Sequence, residues 1–261
     1  MSAPLSASIR LYGKAPYTLA LLHGGPGARG SLAGLAAQVG QKRAAAELLQ
    51  TAFSVAELLQ ELHAQIQTLT PPVALAGHSW GAWLGLLYAA IHPQNVRHLV
   101  LISCPPLTDE FVPQILERRL SLLTPPEAKA FQEALRQLEK NNAASPQALR
   151  TLEELSQKTD FAFPAPYDDS ALEVDARQYQ AVWPQAARLR TEGVLLQAAR
   201  GLECPVSVLH GLQDPHPAAG VLEPLTACGI RPQTILWERC SHSPFAEKYA
   251  QRELCRFLQQ A

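Results

Sequence analysis

Val73-Ala74-Leu75-Ala76-Gly77-His78-Ser79-Trp80-Gly81 is the stretch from which the rest of the chain can be read. Four consecutive apolar residues fit a strand buried on both faces of a parallel sheet. They run directly into a Gly-x-Ser-x-Gly motif. The motif in turn opens the apolar segment Ala82–Ile91, read as a core helix that His92-Pro93 ends. Strand, sharp turn and helix are the setting that a nucleophile elbow requires. The glycines answer to crowding, because a serine held in a strained conformation at a tight turn needs neighbours without side chains. Such a turn lifts the hydroxyl above the sheet and sets it at a helix N-terminus, where the dipole favours developing negative charge. The plainer alternative is an ordinary strand-to-helix turn.

Upstream, Tyr17–Leu22 is a second unbroken apolar run, stopped by His23-Gly24-Gly25-Pro26-Gly27. Ser8–Tyr12 reads as an edge strand and Ser31–Val39 as a short helix. Ala44–Leu49 reads as a strand, although its alanines suit a helix equally. Ser54 and Glu57 form a capping-box signature ahead of Leu58, Leu59, Leu62 and Ile66, which predicts a helix to Leu69. Downstream, Leu99–Ile102 is a further buried strand. Alternating strands and helices with short connections predict an α/β fold, a mostly parallel sheet with helices on both faces.

The texture changes at Cys104-Pro105-Pro106. Phe111–Leu123, Glu127–Lys140 and Pro146–Lys158 have amphipathic helical patterns, Phe161–Tyr167 reads as a loop, and Val174–Trp183 and Gln185–Ala199 read as helices. No strong strand is expected there. Residues 105–200 are therefore expected to form a helical cap, or lid, inserted in a core made of 1–104 and 201–261. Strand texture returns at Val206–Leu209 and Thr234–Trp237, and Glu247–Leu258 reads as a closing helix.

A serine hydroxyl is a poor nucleophile without a base. Of eight histidines, His242 stands out, because it follows a late strand in the loop Cys240-Ser241-His242-Ser243-Pro244. His216 is its main competitor; His23 and His78 flank the motifs. The orienting carboxylate should follow a strand, and Asp214 does so in His210-Gly211-Leu212-Gln213-Asp214-Pro215. It would fix the imidazole tautomer and stabilise the imidazolium that forms. An Asx turn before Pro215 explains the same aspartate, and the two roles are compatible. Ser79, Asp214, His242 is also the chain order expected of this architecture. The backbone N–H groups of Gly25 and Trp80 are the expected oxyanion-hole donors.

On these residues the chain resembles the α/β-hydrolase superfamily, and more narrowly its proline iminopeptidase-like branch (AB hydrolase-1 type). His23-Gly24-Gly25-Pro26-Gly27, Ser79-Trp80-Gly81 and the helical segment ahead of the acid strand carry the likeness. It implies a hydrolase with no metal and no organic cofactor. Three activities stay open: an ester, thioester or amide hydrolase working through an acyl-enzyme, a carbon–carbon bond hydrolase on the same triad, and a non-catalytic small-molecule-binding protein. Phe161, Tyr167 and Trp183 in the cap would either line a substrate pocket or pack the cap onto its base.

Composition sets the remaining bounds. Of 261 residues 47% are hydrophobic and 17% charged, enough apolar surface for a substantial core. The formal net charge is -1, and no like-charge run marks a nucleic-acid or membrane surface. A small-molecule substrate is the expected partner. Met1–Arg10 lacks a signal-peptide pattern, and no apolar run reaches the ~18 residues of a membrane span. The five cysteines, Cys104, Cys204, Cys228, Cys240 and Cys255, follow no zinc or disulfide spacing. Reduced thiols and a cytoplasmic location are expected.

Overall fold

The computed structural model describes residues 8–140 and 146–261. The first part of the chain forms β1 (Ile9–Tyr12), β2 (Leu19–Leu22), β3 (Ala28–Arg29), α1 (Ala33–Gly40), β4 (Ala45–Leu48), α2 (Val55–Gln67), β5 (Val73–His78), α3 (Trp80–Ile91) and β6 (Val96–Ile102). Next come α4 (Val112–Leu122), α5 (Pro125–Lys140), α6 (Pro146–Asp160), β7 (Glu173–Val174), α7 (Ala176–Thr191) and α8 (Val194–Arg200). The chain then adds β8 (Val206–Gly211), α9 (Ala219–Ala227), β9 (Gln233–Trp237) and α10 (Gln251–Gln260).

Seven strands form one sheet in the order β1-β4-β2-β5-β6-β8-β9. Only the β1–β4 pair is antiparallel. Every residue of β2, β4, β5 and β8 is buried, which is why β2 and the start of β5 read as unbroken apolar runs, whereas β4 carries the buried Glu47. Their side chains alternate between two cores. Leu22, Leu48, Leu75, Leu101 and Val208 pack with α2, α3 and α8, while Leu21, Ala76, Val100 and Leu209 pack with α1 and α10. The expected mostly parallel sheet with helices on both faces is the one that forms. β5 lies in its middle, so the segment after it opens at the carboxyl edge of the sheet.

Ser54 caps α2 by accepting the Glu57 N–H at 3.3 Å, and its hydroxyl donates to the Glu57 carboxylate at 2.7 Å. The ambiguous alanines of 45–48 form a strand. Four expectations need correction. α7 does not break near Pro184 but runs through it to Thr191. Proline removes only the N–H that would reach the Gln180 carbonyl, and the helix continues past it, with Gln185 Nε2 donating to the neighbouring Ala181 carbonyl at 2.8 Å. The actual stop is Gly193, whose φ of 74° takes the left-handed conformation. α9 was not expected, because Pro224 and small residues mask its pattern. Val174, read as the first residue of a helix, instead pairs in a two-residue antiparallel ladder, Ala28↔Val174 and Arg29↔Glu173, and α7 begins at Ala176. Finally, α10 begins at Gln251 rather than Glu247, after a 3-10 turn at Pro244–Ala246.

Among the described residues no helix is long and apolar enough to cross a membrane. Residues 1–7, part of the N-terminal reading, lie outside the description. All five cysteines are free.

Candidate active site

Ser79 has φ 52° and ψ -119°. Among the described residues only Ser103 shares a positive φ without being glycine. Such a conformation costs about 1–3 kcal/mol and persists only where the surroundings enforce it. Here the Ser79 N–H donates to the Ile102 carbonyl at 2.9 Å, continuing the β5–β6 ladder past the end of β5. The flanking glycines are needed for close approach. A Cβ on Gly77 would overlap the Gly81 carbonyl, and one on Gly81 would lie 2.5 Å from the Leu22 carbonyl oxygen and 2.6 Å from that of His23. The loop after β2 lies alongside, since a Cβ on Gly24 would sit 3.5 Å from Ser79 Cβ.

His242 Nε2 is 3.0 Å from Ser79 Oγ, and its Nδ1 is 2.8 Å from Asp214 Oδ2. Asp214 can only accept, so the network assigns the His242 proton to Nδ1 and leaves the Nε2 lone pair facing the hydroxyl. The His242 backbone is held at both ends. Its N–H donates to the Asp160 carbonyl at 3.0 Å, and its carbonyl accepts from His78 Nε2 at 2.8 Å. Gly211 makes room for this loop, because a Cβ there would overlap the Cys240 and Ser241 carbonyls.

Asp214 is fully buried and divides its oxygens between two tasks. Oδ1 accepts from the His216 N–H at 2.8 Å, an Asx turn, and from His216 Nδ1 at 3.0 Å. Oδ2 faces His242, with His210 Nε2 3.3 Å away. His210 Nε2 also donates to the His216 carbonyl at 2.7 Å. The Asx turn and the contact to the histidine therefore coexist on one side chain. His216, the competitor for the base, sits on the far oxygen of Asp214, its ring centroid 4.6 Å from that of His242.

The electrostatics follow from this packing. Burial pushes the Asp214 carboxyl up, but His242, His210 and His216 together hold it well below the usual carboxylate range. Burial pulls His242 down, and the charge and hydrogen bond of Asp214 outweigh it, so His242 lies above an ordinary imidazole. His78, buried beside His242, is pulled down to about 3. Burial likewise takes His23 to about 4. His210 and His216 are lowered, first by burial. Around pH 7 one basic imidazole thus stands among neutral ones, and it is the one facing Ser79.

The Trp80 N–H is the first of α3, where a helix leaves its N–H groups without intrahelical acceptors. Gly25, at φ 107°, belongs to the loop alongside Ser79. Phe161 follows Asp160, whose carbonyl takes the His242 N–H, and packs against the core beneath α1 and α10. The Tyr167 hydroxyl donates to the Ser31 carbonyl at 2.7 Å and accepts the Leu35 N–H at 3.2 Å, which ties it to α1. Trp183 stacks between Tyr179 and Trp83, with ring centroids 5.8 and 6.0 Å away. Among the described residues no hydrogen bond links Tyr167 or Trp183 to Ser79, whose hydroxyl is paired with His242. Sequence reading missed two features. Arg119 of α4 pairs with Asp160 at 2.8 Å, and the buried Glu247 carboxylate accepts three backbone N–H groups. The Arg119 pair and two of the three Glu247 contacts have no local sequence signal, because those partners lie tens of residues away.

Asp214, His216 and His242 bring a carboxylate oxygen and two imidazole nitrogens within 4.8 Å of one another. An ion held there would compete with the hydrogen bonds that orient His242 on Asp214. The same geometry suits nucleophilic attack by Ser79, with His242 taking the proton.

Residues 17–253 match the family model described as the alpha/beta hydrolase family. No curated protein sequence matches the chain. Solved structures share its fold. VinJ is 17% identical with a TM-score of 0.69, covering 96% of this chain and 94% of that one. The proline iminopeptidase of Mycobacterium smegmatis is 18% identical with a TM-score of 0.65, covering 97% and 94%. A thioesterase domain from the curacin biosynthetic pathway is 15% identical with a TM-score of 0.60, covering 97% and 94%. At these identities the likeness is one of fold. The family match spans nearly the whole chain, and the chain belongs to the alpha/beta hydrolase family.

Proposed function

We propose that the protein is a serine hydrolase cleaving a carboxylic ester, thioester or amide of a small molecule through an acyl-enzyme. The carrying observation is the continuous hydrogen-bonded line from Ser79 Oγ through His242 to Asp214, at 3.0 and 2.8 Å. In this reading His242 takes the Ser79 proton as the oxygen attacks the substrate carbonyl, and Asp214 stabilises the imidazolium. The Gly25 and Trp80 N–H groups receive the oxyanion, a role in which losing one donor costs about a hundredfold or more. His242 then returns the proton to the leaving group, and water, activated by the same base, releases the acid. Residues 105–200 act as the cap over this site. Phe161 is favoured over Tyr167 and Trp183 as a substrate contact, because its segment adjoins the His242 loop.

Treating the purified protein with a fluorophosphonate probe and weighing it intact tests the reading. The expected result is a single adduct on wild type, absent in Ser79→Ala and formed slowly in His242→Ala. A folded wild type that stays unlabelled, at a concentration that labels a control hydrolase, would remove the activated serine from the account.

A further inference from the structure

The cap and the loop carrying His242 share a closed ring of hydrogen bonds. The His242 N–H donates to the Asp160 carbonyl at 3.0 Å. Two residues on, the Ala162 N–H donates to Glu247 Oε1 at 2.7 Å. The same oxygen accepts the Ser241 N–H at 3.0 Å, closing the ring at the residue before His242. Glu247 Oε2 takes the Phe163 N–H at 2.6 Å. Outside the ring the Ser241 hydroxyl donates to the Thr159 carbonyl at 2.8 Å, and the Lys248 N–H to the Phe163 carbonyl at 2.9 Å.

Glu247 is completely buried, and no salt bridge to it occurs among the described residues. A buried carboxylate without a cation is costly unless hydrogen bonds replace its water. Three short N–H contacts do that here. Their placement matters more than their number. Two come from the segment that leaves α6, and the third from the neighbour of His242. Were 160–163 to lift from the core, His242 would lose the partner of its N–H, and Ser241 its tie to the cap.

We propose that Glu247 is a positioning residue that locks segment 160–163 of the cap onto the His242 loop, so that the base reaches Ser79 only while this segment is seated. The proposal rests on the serine hydrolase reading above. Glutamine is the informative replacement. It keeps the shape and one accepting oxygen, but it turns an amide nitrogen toward an N–H that needs an acceptor.

The test is the rate of fluorophosphonate labelling against pH for wild type and Glu247→Gln, each checked for cooperative thermal unfolding. Folded Glu247→Gln is expected to label about ten- to a hundredfold more slowly, the scale of a small misplacement of a reacting group. Its pH midpoint is also expected to fall toward that of an ordinary histidine, as His242 loosens from Asp214. A merely structural glutamate would lower the melting temperature and leave that midpoint in place. Wild-type rate and midpoint in folded Glu247→Gln overturn the proposal. If that variant does not fold, Ser241→Ala decides. It removes the hydroxyl's contacts to the Thr159 carbonyl at 2.8 Å and the Gln213 carbonyl at 3.3 Å while keeping the Ser241 N–H on Glu247, and slower labelling with the same downward shift supports the lock, whereas unchanged values overturn it. A wild type that does not label ends both readings, and a labelled wild type with an unaffected variant ends this one alone.

Discussion

Replacing Asp214 with asparagine is expected to disable the base while barely altering its shape. The Asx turn fixes the outcome. The His216 N–H can only donate, so the asparagine oxygen must stay on the His216 side, where Oδ1 now accepts at 2.8 and 3.0 Å. The amide nitrogen then faces His242 Nδ1 across 2.8 Å, where a carboxylate oxygen had been. To avoid two donors meeting, His242 moves its proton to Nε2 and presents N–H, not a lone pair, to Ser79. Relative to wild type, the productive tautomer lacks the hydrogen bond that the charged Asp214 accepts from Nδ1, about 1.5–3 kcal/mol. The imidazolium formed on attack also loses an anion near 4 Å, about 4 kcal/mol at an effective dielectric of about 20. The sum, about 5–7 kcal/mol, corresponds to a fall of about 10⁴–10⁵ in rate. The loss known for the same substitution in a serine-protease triad is about 10⁴. The assay is the second-order rate of fluorophosphonate labelling, with circular dichroism to show that the fold survives. Labelling of Asp214→Asn within tenfold of wild type would refute the assignment of Asp214 as orienter.

Wild-type labelling should rise with pH through a midpoint above the ordinary histidine value, because His242 works as a base only when neutral and Asp214 raises it; a midpoint well below that value would contradict the pairing. His23 and His78 are lowered to about 4 and about 3, so their stabilising contribution is full above the unfolded value near 6.5 and is lost as pH falls through that window. The melting temperature should therefore drop between about pH 6.5 and pH 4, as scanning fluorimetry would show, and a flat profile would count against neutral burial of these rings. Gly81→Ala forces a methyl against the Leu22 and His23 carbonyls, and about 1–3 kcal/mol of stability should go with it, together with most labelling, since the loop after β2, alongside Ser79, must shift. Trp183→Ala breaks the stack with Tyr179 and Trp83, and a lower melting temperature with near-normal labelling by a small probe is expected.

The parts of the fold that were legible are those in which one local rule decides. β2, β5, β6 and β8 are apolar because both faces of the sheet are covered, and the segments after β2, β5 and β8 carry Gly/His/Asp signatures because the carboxyl edge is where they come together. β4 was ambiguous because alanine suits either element and because Glu47 sits in it fully buried. That charge is accommodated by the Leu32 N–H at 3.1 Å and by Arg10 at 3.8 Å, neither visible from the strand itself. Pro184 and Pro224 are strong breakers in isolation, yet packing of Val182 and Ala186, and of Val221 and Leu225, holds their helices across them. At the site, motif and chain order pointed to Ser79, Asp214 and His242, whose side chains lie within hydrogen-bonding reach. What escaped was the support around them. The second imidazole on Asp214 was visible only as a rival base, and Glu247 looked like the first residue of a helix.

The sheet order carries a further consequence, for synthesis of the chain. The elbow is complete once β6 has joined β5, so Ser79 can reach its strained conformation before any residue past 102 is required. Asp214 needs β8, which pairs with β6 only after the intervening segment 103–205 has been spanned, a slow, long-range closure. His242 lies 163 positions from Ser79 and arrives later still. Under the proposed mechanism a nascent chain therefore holds a serine with no base to activate it, and reactivity would switch on when the carboxyl-terminal strands dock. Half-made molecules on the ribosome should be inert toward the probe that marks the finished one.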